Sequence, residues 1–302
     1  MIYALFFATL LFPLKGALIR WRANFTPKVQ PIPESPLTDD VQHASQPRSL
    51  LGMLQRVNAE EGIDGLYKGI LPTLSFVIFW EMTYLPSIVV VGYLHFGVYD
   101  QSTVLIIAIA SLIKIIATVI EAVFVNRAVT TQEDMSSFSL RRALDVLLSP
   151  AERRHPYRIF IIPGLLMACT SWVLFIVGTI GARHFLFRVA KQFPGNFGNW
   201  EDMRPHIPLL VVVVILSFVL NVLVLTPLEV MMVRLSIQAK ATQVTLLLDT
   251  PPVEAVGPVR LRTDKVEYTG LISCARLIIH EEGWGALYRG WWWTAFRGIL
   301  FI

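Results

Sequence analysis

From position 207 to position 227 the chain carries no charged side chain. Residues 159–182 do the same, and residues 70–96 carry a single acidic group, Glu81. About 20 apolar residues in helical form cross a hydrocarbon core of roughly 30 Å, so each run can span a bilayer. The alternative, a buried helix in a large soluble core, fits poorly with so many runs of this length. Charged residues make up only 16% of the chain and hydrophobic ones 54%. A soluble domain carries about 25% charged residues.

Six spans are expected: residues 1–20, 70–96, 103–126, 159–182, 207–234 and 288–302. The segments after spans one, three and five are long, and those after two and four are shorter, which arranges the spans as three helical hairpins. Positions 20–68, 127–158 and 234–289 hold 19 of the 26 Lys and Arg residues, and the two opposite loops hold four. A basic bias of this kind orients a membrane protein. The net charge of +4 therefore speaks for topology and contact with anionic lipid, not for nucleic-acid binding.

One phrase is written twice. Glu61-Gly62-Ile63-Asp64-Gly65-Leu66-Tyr67-Lys68-Gly69 reads acid-Gly-x4-Tyr-basic-Gly, and the pattern returns near the other end of the chain, from Glu282 to Gly290. Recurrence in the same setting signals internal repetition. Each copy follows a short amphipathic stretch. Residues 49–60 put Leu50, Met53, Leu54 and Val57 on one face, and residues 271–280 do so with Leu271, Ala275 and Ile278. That spacing predicts helices lying along the membrane interface, and it equally suits helices packed on protein.

Span, surface helix, repeated phrase and span resemble the mitochondrial carrier family. Pro227-Leu228-Glu229-Val230-Met231-Met232-Val233-Arg234 is similar to the family's Pro-x-acid-x-x-basic-x-basic motif, lacking only the first basic residue. Pro13 to Arg20 is a weaker match, with Lys15 in the acid position. The resemblance implies an all-α bundle of six transmembrane helices in three pseudo-symmetric hairpins. It divides the chain into repeats 1–100, 101–200 (degenerate) and 201–302. Proline removes a backbone hydrogen bond and bends its helix, so Pro13 and Pro227 are expected kinks. The glycines open new helices whose free amides attract phosphate. The resemblance thus makes Lys68, Gly69, Arg289 and Gly290 candidate sites for cardiolipin or another anionic phospholipid.

Family members close one end of the bundle with acid–base pairs from the odd-numbered helices. The corresponding positions here are Lys15 and Leu18, Val125 and Ala128, then Glu229 and Met232. Only Lys15 and Glu229 can pair, so they, with Arg20 and Arg234, form a gate remnant. The opposite end is uncharged. The family's substrate contacts imply Phe76 and Arg297, and Leu166 or Met167 in the middle repeat. Glu81, Lys114 and Glu121 join them as intramembrane charges, which are functional candidates in hydrocarbon. Lys114 and Glu121 are seven apart, on one helix face. Asn221 is read as structural.

Cys169 and Cys274 form no metal or disulfide motif, phosphate-loop and dinucleotide fingerprints are absent, and the basic run at Arg153 reads as a solvated corner. No catalytic residue, metal or cofactor is expected, and the oligomeric state is not encoded legibly. The stretches before Pro13 and after Gly290 are short for complete spans, so shortened or clipped end helices are expected, without a cleavable presequence. Two functions follow from the resemblance. The first is alternating-access transport of a small, anionic metabolite across a mitochondrial membrane, the inner one on the family's pattern. The alternative is a non-transporting carrier-fold scaffold of the outer membrane, acting in fusion, morphology or protein insertion.

Overall fold

The computed structural model describes residues 2–26, 47, 49–95, 101–131, 140–192, 207–248, 259 and 268–300. Among the described residues every regular element is helical. In chain order they are α1 (Ile2–Ala23), α2 (Leu50–Leu66), α3 (Ile70–His95), α4 (Gln101–Thr130), α5 (Leu140–Leu147) and α6 (Pro150–Arg154). A 3-10 turn (Pro156–Ile161) leads to α7 (Leu165–Gln192), α8 (Ile207–Leu248), α9 (Leu271–Glu281), α10 (Trp284–Leu287) and α11 (Trp291–Leu300).

Among the described residues three helices are long and apolar enough to cross a membrane, through Leu105–Thr130, Leu165–Ala182 and Val214–Gln238. The bent pair Leu50–Leu66 and Ile70–Met82, turning by 59°, makes a fourth if counted together. Six spans were expected, and α1 and α11 are not among those counted over the described residues. α1 carries Lys15, Arg20 and Arg22 within 22 residues, and α11 is described over only ten. The span expected at 159–182 also starts later, because its first residues form the 3-10 turn and Pro163-Gly164 precede the helix.

α1, α4 and α8 pack on one another at the centre, and α3, α7 and α11 fill the flanks. α4 contains neither Gly nor Pro, so nothing interrupts its 30 residues. Val119, Val123, Val125 and Val129 point inward, while Leu105, Ile109, Leu112 and Ile116 on the other face are exposed. Contiguous apolar exposure on this scale is what a lipid environment covers. Pro13 and Pro227 lie inside α1 and α8, so each helix lacks one backbone hydrogen bond there.

The amphipathic stretches pack on protein rather than on lipid. Ser49 caps α2 by accepting from Gly52 N at 3.1 Å, which satisfies one of the free amides of the first turn. Met53 and Val57 are fully buried against Ala17 and Leu18 of α1. Cys274 and Ile278 of α9 enter the main core beside Leu165 and Cys169.

Gly69, Gly164 and Gly290 each stand immediately before a helix, α3, α7 and α11, with φ of 90°, 77° and 73°. This left-handed backbone is open to glycine and costly for residues with a Cβ. At Gly164 space is also lacking: a Cβ would fall 2.7 Å from Gly270 C and onto Leu271 N, both backbone atoms. Gly164→Ala should therefore cost about 2 kcal/mol or more, read as a lower midpoint of thermal unfolding. An unchanged midpoint would mean that α9 does not seat there.

Candidate functional site

Three arginines near the inner ends of the central helices define the site's frame. Arg20, Arg127 and Arg234 stand at equal intervals along the chain, and all are buried. Each pairs with a glutamate at the surface-helix level: Arg20 with Glu61 at 2.7 Å, Arg127 with Glu152 at 2.7 and 2.9 Å, and Arg234 with Glu282 at 3.0 Å. Glu61 and Glu282 are the acids of the twice-written phrase. Glu152 supplies the same partner between them, at a place where the phrase is unreadable.

The local sequence explains how Glu152 is held. Ser149-Pro150-Ala151-Glu152 opens α6 as a capping box: Ser149 Oγ accepts from Glu152 N at 3.2 Å, and Ser149 N donates to Glu152 Oε2 at 2.9 Å. Arg127 then presents its fork to both carboxylate oxygens and donates to Leu147 O at 3.0 Å and Ser236 O at 2.8 Å. Burial alone would raise the Glu152 carboxyl, but the Arg127 guanidinium and the Ser149 bonds hold it below the usual range. Glu282 behaves alike: burial opposes its charge, and Arg234 and Arg289 more than offset that. It also accepts from Thr26 N at 3.2 Å, tying the end of α1 to the second copy of the phrase.

One layer further in, the charged groups link the central helices across the bundle. Lys15 of α1 pairs with Glu121 of α4 at 3.6 Å, and Trp80 Nε1 of α3 donates to the same carboxylate at 2.9 Å. Glu229 of α8 pairs with Arg22 of α1 at 2.9 Å and with Arg297 of α11, accepts from Thr294 Oγ1 at 2.8 Å, and receives Trp172 Nε1 at 3.4 Å. The Arg297 guanidinium lies 5.3 Å from the centre of the Trp172 ring, a cation–π distance. Between α4 and α8, Asn126 Nδ2 donates to Ser236 Oγ at 3.0 Å. Each pair of central helices is thus joined by polar side chains.

This corrects the expected gate. Lys15 and Glu229 do not pair with each other; Lys15 takes Glu121, and Glu229 takes Arg22 and Arg297. The register of the middle segment also moves. With Arg127 matched to Arg20 and Arg234, the positions equivalent to Lys15 and Leu18 are Ala122 and Val125, shifted toward the N-terminus from the expected pair Val125 and Ala128. Gly164 likewise stands where Gly69 and Gly290 stand, so the seventh residue beyond it is Ser171, which is half-buried.

The remaining sequence candidates fall in different places. Phe76 is half-buried against the cluster of Phe12, Val125 and Val129. Met167 is 61% exposed and Leu166 40%, both on the outer surface. Glu81 and Lys114 are half-buried on α3 and α4. Asn221 donates to Ser217 O at 2.8 Å within its own helix, a structural arrangement. Arg289 is engaged by protein: it pairs with Glu282 at 2.7 Å and donates to Thr26, Trp21 O and Asn24 O. A Cβ on Gly69 would lie 3.0 Å from Val129 Cγ2, and one on Gly290 would collide with Leu18.

Sequence reading missed Arg22, Arg127, Glu152, Trp172 and Thr294. For Arg127 a signal existed, its equal spacing from Arg20 and Arg234; for Glu152 it was the capping-box pattern beginning at Ser149. Among the described residues no group of three His, Cys, Asp or Glu could hold a metal ion. The family described as mitochondrial carrier protein has a model that matches residues 207–301. No curated protein matches the chain.

Proposed function

We propose that this chain, whose residues 207–301 match the family model described as mitochondrial carrier protein, carries a small solute across a mitochondrial membrane by alternating access. The observation that supports transport is the polar cross-linking of α1, α4 and α8 around Glu121, Glu229 and Ser236. Ion pairs and hydrogen bonds in low dielectric hold a closed end firmly, yet each can be exchanged for another partner or for water. A scaffold has no need of charges there; apolar packing of equal volume is as stable or more so.

On this reading the chain is three repeats, 1–100, 101–200 and 201–302, in a six-helix bundle. Arg22 and Arg297 take the places that neutral Leu18 and Met232 leave empty in the gate. Cardiolipin or another anionic phospholipid would sit on the amide ends of α3 and α11 beside Gly69 and Gly290, with Lys68 as its basic neighbour. Arg289 would hold the phrase to α1 instead of holding lipid.

The test is solute exchange by the full chain reconstituted in liposomes. Saturable counter-exchange is expected, and Arg297→Ala should lower its kcat/KM about tenfold or more, because Arg297 is both the partly exposed cation and one partner of Glu229. If a broad panel of solutes gives no flux while the protein stays folded, transport is wrong and the outer-membrane scaffold takes its place.

A further inference from the structure

The three central helices are not tied to one another equally. At the arginine layer two of the three seams carry the same strap. Arg127 Nε donates to Ser236 O at 2.8 Å, two positions past Arg234, and Arg234 Nε donates to Arg22 O at 3.1 Å, two positions past Arg20. The same rule would send Arg20 to Val129 O on α4. Arg20 turns to α2 instead, donating to Gly65 O at 2.9 Å and to Glu61 at 2.7 Å. Among the described residues, which include the inner ends of α1, α4 and α8, the third strap is absent.

The other ties repeat this inequality. Between α1 and α8, Arg22 pairs with Glu229 at 2.9 Å, and Arg234 reaches Asn24 O at 3.2 Å as well as Arg22 O. Between α4 and α8, Asn126 donates to Ser236 Oγ at 3.0 Å beside the Arg127 strap. All of these side chains are buried, so a broken bond leaves a desolvated group without a partner. Between α1 and α4 the one polar tie among the described residues is Lys15 to Glu121 at 3.6 Å, with side chains 32% and 25% exposed. A partly hydrated pair of this kind holds weakly. The rest of that seam is apolar, in the cluster of Phe12, Ile19, Val125 and Val129, and apolar contact has no direction to enforce.

We infer that the inner end of the bundle opens on one side: α4 parts from α1 while α8 stays fastened to both. The meaning of that motion as passage of a solute rests on the alternating-access reading. The unequal seams can be tested without any flux.

Phe25, Thr130 and Gln238 stand at the inner ends of α1, α4 and α8. Spin labels on pairs drawn from Phe25→Cys, Thr130→Cys and Gln238→Cys, in the full chain reconstituted in lipid, read the three seams separately. Cys169 and Cys274 are buried, out of reach of the label. In Lys15→Gln the distance between labels 25 and 130 should lengthen, or gain a second population, by about 5 Å. The 130–238 and 25–238 distances should keep their wild-type values. Asn126→Ala removes one of the two ties between α4 and α8 and should leave all three distances unchanged. Lengthening of all three in Lys15→Gln, no lengthening of 25–130, or a longer 130–238 distance in Asn126→Ala overturns the inference. A reducible cross-link in Phe25→Cys/Thr130→Cys should slow solute exchange about tenfold or more against the same protein after reduction, and one in Thr130→Cys/Gln238→Cys less than about twofold. Equal slowing by both also overturns it. The expected distances in a protein that exchanges no solute keep the weak seam and sink transport alone.

Discussion

Glu229→Gln is expected to open the bundle at its most charged layer. The carboxylate receives Arg22 at 2.9 Å, Thr294 at 2.8 Å and Trp172 at 3.4 Å, and it pairs with Arg297. Its side chain is 8% exposed and that of Arg22 is 6%. A glutamine of the same size leaves two guanidinium groups facing each other in a low-dielectric interior with no anion between them. Removing one partner of a buried pair costs about 3–5 kcal/mol, most of it the penalty of the charge left behind. Thermal unfolding should shift down accordingly, and solute exchange should fall to background. The double variant Arg22→Gln/Glu229→Gln removes one stranded cation and should recover part of the stability. A Glu229→Gln protein as stable as the wild type would show that the cluster does not hold the helices together.

Arg127→Gln should be of similar severity and for a simpler reason. The guanidinium is buried and makes bonds to Glu152, Leu147 O and Ser236 O, so one change frees a carboxylate and two carbonyls at once. A loss of about 3–5 kcal/mol is expected. Arg127→Lys keeps the charge without the planar fork and should cost less, though well above a surface change. The pair also sets an acid limit. The Glu152 pKa in the folded protein lies below the ordinary value of 4.5. A carboxyl depressed in this way adds stability that is complete above the unfolded value and is lost as pH falls through the folded one. Unfolding midpoints should therefore be flat above about pH 5 and drop on acidification below pH 4.5. In Glu152→Gln that drop should be shallower, and Glu282 should account for much of what is left. A drop of equal steepness in the variant would remove Glu152 from the account.

How much was legible depends on the range of the interaction. Charge-free runs show as spans because desolvation acts on each residue separately. Gly69 and Gly290 could be read as helix openings because their neighbours in sequence demand a positive φ. Between these two copies no further copy of the phrase could be read. Gly164 stands further along the chain from Glu152 than Gly69 does from Glu61 or Gly290 from Glu282, with the 3-10 turn Pro156–Ile161 taking up the difference. A pattern with fixed spacing misses this, while the salt bridge from Glu152 to Arg127 closes all the same. The amphipathic stretches showed which faces are apolar, but not that α1 covers Met53 and Val57, since lipid and protein select the same periodicity.

Composition, spacing and local backbone chemistry alone determine that this is a helical membrane chain with Pro13 and Pro227 inside two of its helices, a repeated glycine phrase and charges too costly to be idle. They do not determine which charge meets which. That choice depends on helix rotation and axial offset, and a single helical turn advances further along the axis than the whole reach of an ion pair. A shift of about two turns puts Arg22 opposite Glu229 where Lys15 was expected, and a one-residue step puts Glu121 opposite Lys15 beside apolar Ala122. A gate that looks dismantled along the chain is assembled from neighbouring positions once the three central helices are packed.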